Sequence, residues 1–170
     1  MTKETYLKMT KPFRDNPGMA KGIHIINKVC TLTMYIAYPI FILYMLWQKD
    51  AYVARVIIVP LDSFIILTVF RAFINRPRPY ETFEVPPVIK KDTKGKSFPS
   101  RHVFSAMVIA LTFLMVSPWS WLGILFIIMT ALLATVRVLS GVHYISDVVA
   151  GALFAIVAAV VGYIIIAPSI

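Results

Sequence analysis

The chain of 170 residues is 59% hydrophobic and 15% charged, with a mean hydropathy of +0.78, which excludes disorder and an ordinary soluble domain and predicts one membrane domain over 1–170. Lys and Arg outnumber Asp and Glu 17 to 8, a net charge of +9 that suits either anionic partners or the basic bias of cytoplasmic loops. One cysteine, Cys30, excludes an internal disulfide, and three His among scattered acids exclude a dense ligand cluster, so neither a metal nor another cofactor is expected.

Residues 1–28 hold six Lys or Arg and read as a basic interfacial segment. Residues 29–47 are 19 uncharged positions, close to the ~20 that cross a hydrocarbon core, and form the first span. The run is too long for a signal-peptide core and no cleavage site follows it, so it is expected to be retained. The second span, 51–74, contains Arg55, Pro60 and Asp62; the two charges lie seven apart on one stripe and predict a polar contact to a neighbouring helix near the kink at Pro60. Residues 75–101, with four prolines before Lys90 and then Lys90, Lys91, Lys94 and Lys96, have no hydrophobic period and read as a functional loop. The 34 uncharged residues 103–136 are too many for one span, and the Ser117-Pro118-Trp119-Ser120-Trp121 break divides them into spans three and four. Residues 148–170 give a fifth, so the predicted fold is an all-α polytopic bundle of about five transmembrane helices.

Alternation of five spans brings the end of span two, the start of three, the end of four and the start of five to one membrane face, where every unusual polar residue sits. His143 and Asp147, four apart, predict a carboxylate that holds one imidazole tautomer and stabilises its cation, as a nucleophilic His needs; a structural pair capping span five is the equal alternative for the two residues alone. Arg71, Arg78 and Arg137 bring guanidinium forks suited to phosphate oxygens, against the alternative of snorkelling toward headgroups. Ser100, Arg101 and His102 stand just before an apolar helix, whose free amides and positive dipole end favour an anion. The ladders His143, Asp147, Gly151, Ala155, Ala159 and His102, Ala106, Ala110 continue both reactive stripes as small residues and predict close packing, with both His facing the bundle interior. His24 has no partner and carries no role.

The blocks Arg71-x6-Arg78-Pro79, Pro99-Ser100-Arg101-His102 and Arg137-x5-His143-x3-Asp147 resemble, in order and spacing, the three-part motif of the type 2 phosphatidic acid phosphatase (PAP2) superfamily. The resemblance implies a metal-independent phosphatase in which His143 attacks phosphorus, Asp147 orients it and His102 protonates the leaving oxygen. Arg71, Arg78, Arg137, Ser100 and the Arg101 amide would hold the phosphoryl oxygens. Three positions depart from the pattern: Arg71 replaces a usual Lys, Arg101 a usual Gly and Val136 a usual Ser. The expected substrate is a phosphomonoester or diphosphate of a membrane lipid, such as phosphatidic acid, phosphatidylglycerol phosphate or undecaprenyl diphosphate, in a bacterial plasma membrane. The alternative is a catalytically silent protein that binds or transports anionic lipids with the same arginines. A haloperoxidase of the superfamily is disfavoured by its soluble architecture, and nucleic acid by the lack of a basic, aromatic patch. The six Lys/Arg of the N-terminus predict a cytoplasmic active-site face, whereas bacterial members resembling this chain usually work on the outer face. Oligomeric state is left open.

Overall fold

Asn16 divides the basic segment 1–28, expected to be one interfacial element. Its Oδ1 accepts from the amides of Gly18 at 2.9 Å and Met19 at 3.2 Å, and Pro17 brings the pre-set φ of a first helical residue. In the computed structural model, which describes residues 1–166, α1 (Lys3–Asp15) therefore stops here and α2 (Pro17–Trp47) begins, well before the uncharged run. At 31 residues α2 is about 46 Å long, so its lysine-bearing first turns reach beyond the hydrocarbon. Tyr6 fastens α1 to the bundle: its ring is 1% exposed and its hydroxyl donates to the Val85 carbonyl at 3.2 Å.

Helix α3 (Val53–Ile74) ends at Asn75, whose φ of 39° is left-handed and whose amide closes on the Arg71 carbonyl. Pro60 has no N–H to offer the Val56 carbonyl, and the Tyr38 hydroxyl of α2 supplies the missing bond. This corrects the expectation for Arg55 and Asp62. The Arg55 guanidinium carbon lies 5.2 Å above the ring of Tyr52, at the start of its own helix, Asp62 is exposed, and among the described residues neither makes an ion pair or hydrogen bond to a neighbouring helix.

After the short α4 (Pro79–Phe83), α5 (Arg101–Val116) forms the centre and packs against α2, α3, α6 (Ser120–Leu139) and α7 (Ile145–Val160). Its 16 residues rise only about 24 Å. Ser117-Pro118 stops it, and Gly123 lets α6 turn back tightly: a Cβ there would stand 2.4 Å from the Leu114 amide nitrogen. Helix α7 continues into a π-helical turn, Val161–Ile165, and residues 167–170 of the expected fifth span lie outside the described residues. The helices α2, α3, α6 and α7 with its extension are each long and apolar enough to cross a membrane, and α5 is the shorter apolar fifth. Leu43, Ile66, Ile128 and Val157, each more than 60% exposed, mark the surface that hydrocarbon covers.

Candidate active site

The turn between α6 and α7 passes through Gly141, φ 77°, where a Cβ would meet the Tyr6 hydroxyl at 2.5 Å; α1 thus buttresses the turn that carries His143. His143 precedes the N-cap of α7 and does not lie on its face, and Asp147 is the third helical residue. Asp147 Oδ2 accepts the Tyr144 amide at 2.9 Å and faces His143 Nδ1 at 3.4 Å. The carboxylate that starts the helix therefore also reaches the imidazole. His143 is 1% and Asp147 0% exposed. Burial, helped by the charges of Arg137 and Arg78, lowers the His143 pKa below its ordinary value against the opposing pull of Asp147, which favours the neutral ring.

The three arginines divide their work. Arg71 donates to the carbonyls of Pro99 and Lys96, and Arg78 to those of Gly95 at 3.1 Å and Val142 at 3.2 Å. Residues 95–99 lie outside any helix, so their carbonyls need such partners. Arg137, 3% exposed, gives one bond among the described residues, from Nη1 to Asn27 Oδ1 of α2 at 3.2 Å, and its buried Nε and Nη2 have no partner among them. Ser100 Oγ is also buried and unpartnered.

Ser100 caps α5, and its amide donates to the Asp147 carbonyl at 2.8 Å. The close approach comes from Gly151, whose added Cβ would lie 2.6 Å from the Ser100 carbonyl oxygen. Gly151, Ala155 and Ala159 are buried as the small-residue ladder predicts. His102, half-buried in the first turn of α5, borders a gap of about 10 Å³ with Thr31, Met34 and Tyr35 of α2 and Leu133 of α6. Arg101, the first residue of α5, has an exposed side chain with its guanidinium carbon 5.5 Å above the Phe64 ring. His24 is exposed, away from these groups.

Four residues join the site that sequence reasoning passed over. Asn27 anchors Arg137, Ser97 Oγ donates to Asp147 Oδ2 at 2.5 Å, Arg76 Nη1 meets Asp147 Oδ1 at 2.9 Å, and Glu81 accepts the Gly95 amide at 2.9 Å. Arg76 alone carried a signal, as a cation beside Arg78. Lys91 of the loop is half-buried, and its burial, then the charges of Arg137 and Arg78, lowers its pKa.

A membrane bundle with a buried His–Asp pair and arginines at one end has the frame of a membrane phosphatase. The PAP2 superfamily profile matches residues 51–169, which include all three motif blocks, and the chain belongs to that superfamily of phosphatases. Among solved structures it is similar to LpxE of Aquifex aeolicus, with 21% identity, a TM-score of 0.71 and coverage of 94% of this chain and 92% of that one. It is also similar to a transmembrane PAP2-type phosphatidylglycerolphosphate phosphatase from Bacillus subtilis, with 19% identity, a TM-score of 0.68 and coverage of 91% and 81%. Both show the same fold. No curated protein sequence matches the chain.

Proposed function

We propose that this phosphatase hydrolyses a phosphomonoester or diphosphate of a membrane lipid, in the class of phosphatidic acid, phosphatidylglycerol phosphate and undecaprenyl diphosphate, through a phosphohistidine and without a metal. The observation that carries the reading is the set of buried, unpartnered donors at the site: Arg137 Nε, Arg137 Nη2 and Ser100 Oγ. Buried polar groups without partners are costly, and an anion bound beside His143 satisfies them. In this reading His143 Nε2 attacks phosphorus while the bond to the leaving oxygen breaks and His102 gives that oxygen a proton. Asp147 accepts from Nδ1–H as the ring becomes cationic. Water then gives a proton back to His102 and attacks phosphorus, the P–N bond breaks, and phosphate leaves. Arginines and the α5 N-terminus supply the charge neutralisation that phosphoryl transfer demands.

A cavity of about 460 Å³ between α2, α3 and α5, lined by Tyr35, Pro39, Phe64 and Phe104 among others, supports a lipid tail. Phe64 carries Arg101 above it, so the cavity runs up to the first turn of α5. The basic α1 lies at the active-site end while the opposite turn holds Lys49 and, in the first turn of α3, Arg55, a bias that supports a cytoplasmic active site. Because Cys30, the only cysteine, is buried, Lys49→Cys reports on this: labelling of intact cells by an impermeant maleimide is expected, and none would refute the orientation.

The function itself is tested by phosphate release from the three lipids in EDTA by detergent-purified protein. Turnover that survives chelation and disappears in His143→Ala is expected. No release from any lipid, with the variant indistinguishable from the wild type, would favour an anionic-lipid binding protein.

A further inference from the structure

Asp147 has more partners than an orienting carboxylate in a His–Asp pair requires. Its Oδ2 accepts from Ser97 Oγ at 2.5 Å and the Tyr144 amide at 2.9 Å while facing His143 at 3.4 Å, and its Oδ1 accepts from Arg76 Nη1 at 2.9 Å. Arg76 is itself held in place. The same Nη1 reaches Ser146 Oγ at 2.9 Å, and the guanidinium carbon lies 4.2 Å above the Tyr144 ring. Its carbonyl accepts the Ser97 amide at 2.9 Å, so one residue grips Asp147 directly and, through its main chain, also fixes the Ser97 that grips it. Arg71 and Arg78, on either side in sequence, serve backbone carbonyls, and among the described residues only Arg76 pairs a side-chain cation other than histidine with a carboxylate.

We infer that Arg76 and Ser97 are positioning residues, which hold the Asp147 carboxylate in line with His143 Nδ1 so that Nε2 is the nitrogen presented to phosphorus. The 3.4 Å approach to Nδ1 is the weakest contact in the set, so the direction of Oδ2 depends on the others. Without Arg76, Oδ1 would be a carboxylate oxygen with no partner in a residue that is 0% exposed, and the group would rotate to find one. The Arg76 side chain is 37% exposed, so its removal leaves a solvated notch and the bundle intact.

This inference rests on the proposed hydrolysis at His143, and the experiment separates the two. With the full chain in detergent and the best lipid phosphate of the panel, Arg76→Ala is expected to lower kcat about 10- to 100-fold with KM unchanged, the scale of loss that follows slight misplacement of a catalytic group. Arg76→Lys keeps the cation but loses the stack on Tyr144, and it recovers part of kcat. Ser97→Ala lowers kcat in the same manner and serves if Arg76→Ala does not fold. A rise in KM at constant kcat would make Arg76 a substrate contact, and wild-type kcat in both alanine variants would show that Asp147 needs neither; each overturns the inference while leaving the hydrolysis standing. Absence of turnover by the wild type would remove the proposed function, and the inference with it.

Discussion

Gly151 ties the two halves of the site together, and replacing it measures how much that contact matters. Its built Cβ stands 2.6 Å from the Ser100 carbonyl oxygen, against an ordinary contact of 3.4 Å or more, and the obstacle is backbone with no rotamer to turn aside. Gly151→Ala must therefore part α7 from the start of α5 by about 0.8 Å. That parting stretches the 2.8 Å bond between the Ser100 amide and the Asp147 carbonyl and moves His143 and Asp147 relative to Ser100 and His102. Misplacement near 1 Å costs up to about 100-fold in rate, so a 10- to 100-fold fall in kcat is expected. Overpacking costs about 1–3 kcal/mol, offset by the ~1 kcal/mol that Ala gains over Gly in a helix, so unfolding is displaced only modestly. Gly22→Ala is the control: its Cβ meets nothing within 4 Å, and it is expected to keep kcat and stabilise α2. The assay is lipid-phosphate turnover beside thermal unfolding in one detergent. Wild-type kcat in Gly151→Ala, or an equal loss in Gly22→Ala, would refute the idea that this contact sets the catalytic geometry.

Arg137→Ala removes the two unpartnered buried donors and is expected to lower kcat/KM about 100- to 1,000-fold, the usual effect of losing a preorganised oxyanion donor, with Arg137→Lys recovering little because it lacks the fork; an Arg137→Ala variant within a few-fold of wild type would show that phosphate binds elsewhere. The pH dependence of stability follows from His143, which faces Arg137, Arg78, His102, Ser97 and Asp147 and whose pKa lies below its ordinary value. The unfolded chain then takes up a proton below pH ~6.5 that the folded chain refuses, so stability from this group is complete above that pH and is lost as pH falls. Thermal unfolding of the wild type from pH 7 to 5 should decline more steeply than that of His143→Asn, and parallel profiles would contradict a neutral buried ring.

The candidate site residues His143, Asp147, His102, Arg71 and Arg137 are legible because each stands at a span end, where an interrupted apolar run is visible in one sequence. Their supports are not. Arg76, Ser97 and Asn27 act across 71, 50 and 110 residues of chain, and apart from the place of Arg76 beside Arg78 nothing local distinguishes them from ordinary loop and helix polar groups. The start of α2 was hidden for a different reason: Lys21 and Lys28 interrupt the apolar run, while the helix follows the Asn16 cap and ignores hydropathy. For Arg101, the place beside Ser100 fixes only where the backbone lies, and the side chain's turn to Phe64 on α3 is not readable from one sequence.

The division among the arginines has a physical logic that equal phosphate ligands would lack. A segment such as 95–99, outside any helix, would present its carbonyls to the site and repel a phosphate. Arg71 and Arg78 bind the carbonyls of Gly95, Lys96 and Pro99, which both neutralises that wall and fixes it. Their positive charge still faces the site, and Arg71 Nε and Arg78 Nη2 make no bond among the described residues. Arg137, held by Asn27 through one nitrogen, is left with free donors that need no reorganisation when the substrate arrives. Arg71→Ala should therefore raise KM for the lipid phosphate and also speed proteolysis within 84–99, whereas Asn27→Ala should raise KM with the proteolysis rate unchanged; equal proteolysis of Arg71→Ala and the wild type would contradict this division.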